Sequence, residues 1–165
     1  MVNWYALIGA TLVPSIVGFI WYNKKVFGQS WMTLSGLTEE KLKETNMAKI
    51  MIFSLILSFL LAFILQNIVI HQFGIYSLLA NEPGMKDPNS PLSEWLKGFM
   101  NQYGGNFRTF KHGAFHGTLT GIFLVMPILV INALFNRKSM KLTFINVGYW
   151  TVTLAIMGAI ICHIW

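Results

Sequence analysis

The chain has 165 residues, of which 55% are hydrophobic, 15% aromatic and only 11% charged. A water-soluble domain carries about a quarter of charged residues, so most of this surface is expected to face something other than water. The net charge of +6 sits in segments between apolar stretches and builds no basic face on a soluble module, which excludes a nucleic-acid partner.

Four apolar stretches account for the composition: residues 4–22, 50–73, 113–135 and 146–165. None contains Asp, Glu, Lys or Arg. Each reaches or approaches the roughly 20 residues that a helix needs to cross hydrocarbon. The expected fold is all-α, an integral membrane bundle of four transmembrane helices with two short interfacial helices. The whole chain, 1–165, is then one domain.

The first stretch has no charge before its apolar core and Lys24–Lys25 directly after it. A cleavable signal peptide has the reverse arrangement, so an uncleaved first helix is expected. Trp4–Tyr5 and Trp21–Tyr22 lie about 25 Å apart along a helix, which suits the two aromatic belts of a bilayer. Pro14 falls in the middle and is expected to kink the helix or free a backbone carbonyl.

In the following loop, "GLTEEKLKE" reads as a short amphipathic helix capped by Thr38, with Glu39 and Glu40 in its first turn and Leu37 and Leu42 as a hydrophobic staple. The second span carries Ser54 and Ser58 on one face, then Gln66, Asn67 and, near its end, His71. The loop at 74–109 opens with turn chemistry in "NEPGMKDPNSP". Ser90–Pro91 then starts a helix expected over 91–102, with Leu92, Trp95, Leu96, Phe99 and Met100 as one apolar stripe. Such a helix lies on a membrane surface. Phe107, Arg108, Phe110 and Lys111 follow as a basic-aromatic anchor.

"KHGAFHGTLTG" opens the third span. Gly113, Gly117 and Gly121 recur every four residues, the small-xxx-small pattern that lets two helix backbones touch. The helix they meet belongs either to the same chain or to a second copy. His112 and His116 recur at the same interval on a neighbouring face. The fourth span ends near Cys162 and His163, bracketed by Tyr149–Trp150 and Trp165. A single cysteine excludes an intramolecular disulfide, so Cys162 is expected to be small apolar packing. The nine methionines read as gap-filling core.

Lys24, Lys25, Lys41, Lys43, Lys49, Arg137, Lys138 and Lys141 fall on one side of a four-span topology. Only Lys86, Lys97, Arg108 and Lys111 fall on the other. The positive-inside rule therefore places both termini on the non-cytoplasmic side. All four histidines, His71, His112, His116 and His163, then gather at that same outer end.

The segments "GFIWYNKKVFGQSWMTLSGLTEEKL" and "FNRKSMKLTFINVGYWTVTLAIMGAI" resemble the small bacterial membrane proteins catalogued as domain of unknown function 1761. The resemblance spans essentially the whole chain. It implies a four-helix protein of the bacterial cytoplasmic (inner) membrane and carries no reaction.

The sequence holds no nucleophile–base pair, nucleotide motif or carboxylate within a span. That points to a non-enzymatic accessory, assembly or interaction subunit whose partners are the lipid bilayer and either another membrane protein or a second copy of itself. A small histidine-lined transporter is the alternative, with Gln66, Asn67 and Asn132 as a polar path beside His71 and His116. Against it, all six acids (Glu39, Glu40, Glu44, Glu82, Asp87, Glu94) lie outside the spans. The other alternative is a metal, haem or proton site on His71, His112, His116 and His163, oriented by Glu82, Asp87 or Glu94. Plain hydrogen bonding of the imidazoles is the ordinary use against which that site is set, and no resident cofactor is expected.

Overall fold

A computed structural model describes residues 3–164. Asn3 starts the first helix, its side-chain oxygen accepting the N–H groups of Tyr5 at 3.0 Å and Ala6 at 3.2 Å. That satisfies two of the donors every helix start leaves open. Helix α1 spans Trp4–Trp21, α2 Gln29–Ser35, α3 Glu39–Lys43, α4 Met47–Val69, α5 Gln72–Leu79 and α6 Pro91–Tyr103. The longest follow: α7 covers Phe110–Phe135 and α8 Met140–His163. No strand occurs among the described residues.

Four of these helices, α1, α4, α7 and α8, are long and apolar enough to cross a membrane. Their outer faces are apolar as well. Ile8, Leu12, Ile16 and Phe19 on α1, Phe53, Ile56, Leu57 and Leu60 on α4, and Phe123, Leu124 and Ile131 on α7 all point outward. Water would charge each such side chain about 1.5–3 kcal/mol relative to hydrocarbon. The buried side is built around α8, whose Leu154, Met157 and Cys162 pack with Leu7, Ala10 and Val13 of α1 and Ala62, Leu65 and Val69 of α4.

The boundaries differ from the expected ones in instructive ways. The second apolar stretch ends as helix at Val69, not at residue 73, because Ile70 turns extended. Ile68, Val69 and Ile70 are three β-branched residues in a row, a run with low helix propensity. The chain then restarts as α5, which occupies the beginning of the expected loop. The third stretch starts at Phe110 because Thr109 caps it, accepting from the His112 N–H at 3.2 Å. The fourth starts earlier, at Met140, and its expected end at Trp165 lies outside the described residues. Helix α6 begins at Pro91 as read, with Ser90 accepting from the Ser93 N–H at 3.1 Å.

Trp21 and Tyr22, expected at the depth of an aromatic belt, are half-buried and bond to α8. The Trp21 indole donates to the Ile145 carbonyl at 3.1 Å, and the Tyr22 hydroxyl donates to the Asn146 side-chain oxygen at 2.9 Å. One turn deeper, the Tyr149 hydroxyl donates to the carbonyl of Pro14 at 2.8 Å. Three hydrogen bonds thus tie α1 to α8 near the basic end. There Lys24 also pairs with Glu39, and its hydrogen bond and charge hold the Glu39 carboxyl below the usual carboxylate range.

Candidate metal centre

At the opposite end, the α7–α8 seam determines where two histidines stand. A Cβ placed on Gly113 would lie 2.7 Å from the carbonyl carbon of Gly158. On Gly117 it would lie 2.8 Å from Ala155 Cα, and on Gly121 2.7 Å from Thr151 Cα. All three glycines therefore meet α8 of the same chain, backbone against backbone, where no side chain fits. With that row locked against α8, His112 and His116 are held on the adjacent face, one turn apart, with ring centroids 4.4 Å from each other.

The third ring arrives from the break between α4 and α5. His71 follows the extended Ile70 and opens α5, so its side chain swings across to α7. Its ring centroid lies 4.9 Å from those of both His112 and His116. The Nε2 atoms of His71 and His112 are 2.9 Å apart, the distance at which one neutral ring donates and the other accepts. One ligand nitrogen from each of the three rings lies within 4.8 Å of the others.

That spacing suits a shared ion. A tetrahedral zinc bound at about 2.0–2.1 Å from each imidazole sets its nitrogens about 3.3 Å apart, which small side-chain rotations reach from here. The donor set is three imidazoles with no thiolate and no carboxylate. Such a set favours zinc, copper, nickel or iron over magnesium and calcium, and three protein ligands leave one coordination position open. A haem is a poor fit. Its two axial rings stand on opposite faces of a flat macrocycle, whereas these three crowd one point.

The surroundings position the triad. Phe107, at a left-handed φ of 62°, lays its ring 5.1 Å from that of His112 and 6.3 Å from that of His71. A bulky residue in that conformation costs on the order of 1–2 kcal/mol, and several contacts hold it there. The Gln72 amide donates to the carbonyls of Gly104 at 2.9 Å and Asn106 at 2.8 Å. The buried Cys162 thiol donates to the Phe107 carbonyl at 3.3 Å and approaches that of Val69 at 3.6 Å. Arg108 reaches the Ile161 carbonyl at 3.5 Å, at the C-terminal end of α8 where a cation is favoured. Cys162 is therefore both core packing and a tie between the α4 end and the loop at 104–109.

The other candidate residues are not brought together. His163 is exposed near the end of α8 and stands outside the group. Glu82, Asp87 and Glu94 also stand outside it among the described residues. Gln66 is buried in the core face of α4. Asn67 is exposed beside it and bonds back to its own helix at the Phe63 carbonyl, 3.3 Å away. Asn132 lies about 24 Å along α7 from His116, lining a hollow with Asn136 and Asn146. These three line no common path. Conversely, Phe107 and Gln72 belong to the site and were missed as such. The turn-forming "GGN" before Phe107 was the available signal.

The family model described as a protein of unknown function (DUF1761) matches residues 5–162, which include the triad and the whole α7–α8 seam. The chain belongs to that family. No curated protein and no solved structure matches it. Membership therefore covers nearly the full length and leaves the chemistry to be argued from the three rings themselves.

Proposed function

We propose that this chain is a multi-pass protein of the bacterial cytoplasmic membrane that binds one transition-metal ion through His71, His112 and His116. The observation that carries the reading is the convergence of three imidazoles from two separate segments, each fixed by its own backbone device: a capped helix start for the pair and a helix break for the third. A histidine used only for hydrogen bonding needs one partner, not two others at ring contact. The basic residues flanking Lys24 and Lys138 favour an orientation with that end in the cytoplasm, so the site opens on the non-cytoplasmic side.

Against the reading as an interaction subunit, the glycine row is occupied by α8 of the same chain and so supplies no surface for a second copy, while the three histidines offer a specific chemistry. The transporter reading lacks a path, since Gln66, Asn67 and Asn132 face three different surroundings.

The test is titration of the stripped protein, in mild detergent, with cobalt(II), whose visible spectrum reports coordination by nitrogen. One ion per chain is expected. His112→Ala should weaken it by about 100-fold or more, since even outer-shell changes at metal sites cost 10–100-fold. His163→Ala should leave it unchanged. Absence of stoichiometric uptake, or equal losses in both variants, overturns the proposal.

A further inference from the structure

Beside the triad lies a hollow of about 440 Å³ between α5, α6 and the loop at 104–109. Beside His71, its walls are the apolar Ile75, Phe99, Met100 and Phe107, together with Tyr103 and the amides of Gln72 and Asn106, and the volume falls in the range of small-molecule sites. The hollow touches the metal site through His71 and is otherwise mostly apolar. We propose, resting on the metal reading above, that the open fourth position takes the carboxylate of a single-chain amphiphile whose alkyl tail lies in this hollow.

Charge argues for the head. Three neutral imidazoles leave both positive charges of a divalent ion uncompensated, with no carboxylate in the group among the described residues. Arg108 and Lys111 flank His112 in sequence and add to the same sign. An anionic oxygen compensates that charge, which a neutral amine or alcohol does not. The walls argue for the tail, because Ile75, Phe99 and Phe107 offer nothing to a hydrated head. Access argues for an amphiphile in place of a soluble acid. Helix α6 is amphipathic and only Leu96 on it is buried, while Trp95, Phe99 and Tyr103 form an aromatic row with centroids 5.5 Å and 5.0 Å apart. Such a row sits at the headgroup level of a bilayer, where a carboxylate and its chain already lie in the right order.

The experiment uses the full chain, cobalt-loaded, in nanodiscs of zwitterionic lipid. Dodecanoate should shift the visible cobalt band at concentrations at least about 100-fold below acetate, the gain from taking a handful of methylene groups out of water. The tryptophan variants below separate the hollow from the bilayer as their destination. Dodecanol, with the tail but no charge, should not shift it. Ile75→Trp and Met100→Trp fill the hollow from opposite walls, and each should weaken the dodecanoate response at least tenfold while leaving cobalt affinity and the acetate response unchanged. If acetate and dodecanoate act at the same concentration, only a free anion site exists and the proposal fails. It fails equally if both tryptophan variants respond like the parent. If cobalt itself does not bind, the metal reading falls and takes this one with it, an outcome distinct from bound cobalt that ignores dodecanoate.

Discussion

At Gly117, α7 approaches α8 so closely that a single added methyl would overlap Leu154 and Ala155. At Gly98, on α6, an added methyl would meet nothing within 4 Å. The same residue type thus marks one of the tightest contacts between helices and one of the loosest surfaces. The two regions share the histidine site between them. The seam supplies His112 and His116 on a rod that cannot shift, whereas α5 and α6 supply His71 and the hollow from elements held by a few hydrogen bonds. A metal ligand pair is best carried by the rigid part. A wall that must admit a ligand is best carried by the loose one.

The comparison is broken most severely at Gly117. Gly117→Leu forces a branched side chain against the α8 backbone, which has no flexible end to yield. A loss of about 3 kcal/mol or more is expected, read as a fall in the thermal midpoint in detergent and as a loss of cobalt binding through displacement of His112 and His116. An unchanged midpoint would mean that the helices do not touch at this position.

What the sequence disclosed about these two regions follows the same division. The four apolar helices were legible because hydropathy accumulates along a stretch and needs no knowledge of neighbours. The glycine spacing was legible too, as a pattern, although it left open whether the opposing helix lay in the same chain. The pairing of His112 with His116 follows from their interval alone. His71 was legible as a member of that end, but its ring contact with the pair was not, because it depends on a helix break at Ile70 that neither proline nor glycine announces. Rise per residue places His163 at the same end as the triad, but only packing decides the side of α8 on which it lies. The same limit explains Trp21 and Tyr22. Their depth was readable, and their direction depended on carbonyl and amide partners on α8 more than 120 residues away.

A milder intervention sharpens the contrast from the loose side. Gln72→Ala removes both hydrogen bonds to the Gly104 and Asn106 carbonyls, each worth about 0.5–1.5 kcal/mol. The loop at 104–109 should open more often, visible as faster amide exchange and proteolytic nicking there, while the thermal midpoint of the bundle stays within a degree or two. Cobalt affinity should fall by several-fold, because Phe107 no longer braces the His71 and His112 rings. A fall in the global midpoint comparable to that of Gly117→Leu would show that cap and bundle unfold as one unit.

The smallest effect has the opposite sign. Gly98 sits inside α6, where alanine is favoured over glycine by about 0.5–1 kcal/mol, and open space surrounds its position. Gly98→Ala should therefore slow amide exchange across 91–103 by a few-fold, without moving the midpoint of a bundle to which α6 is only lightly attached. Because α6 forms one wall of the hollow, a better-ordered α6 also reduces the ordering that ligand binding must accomplish, so dodecanoate should act at equal or slightly lower concentration. A methyl group that instead destabilises α6, or weakens dodecanoate, would reveal that the Gly98 face is pressed against something outside the chain. The loose surface would then be an interface as close as the seam at Gly117.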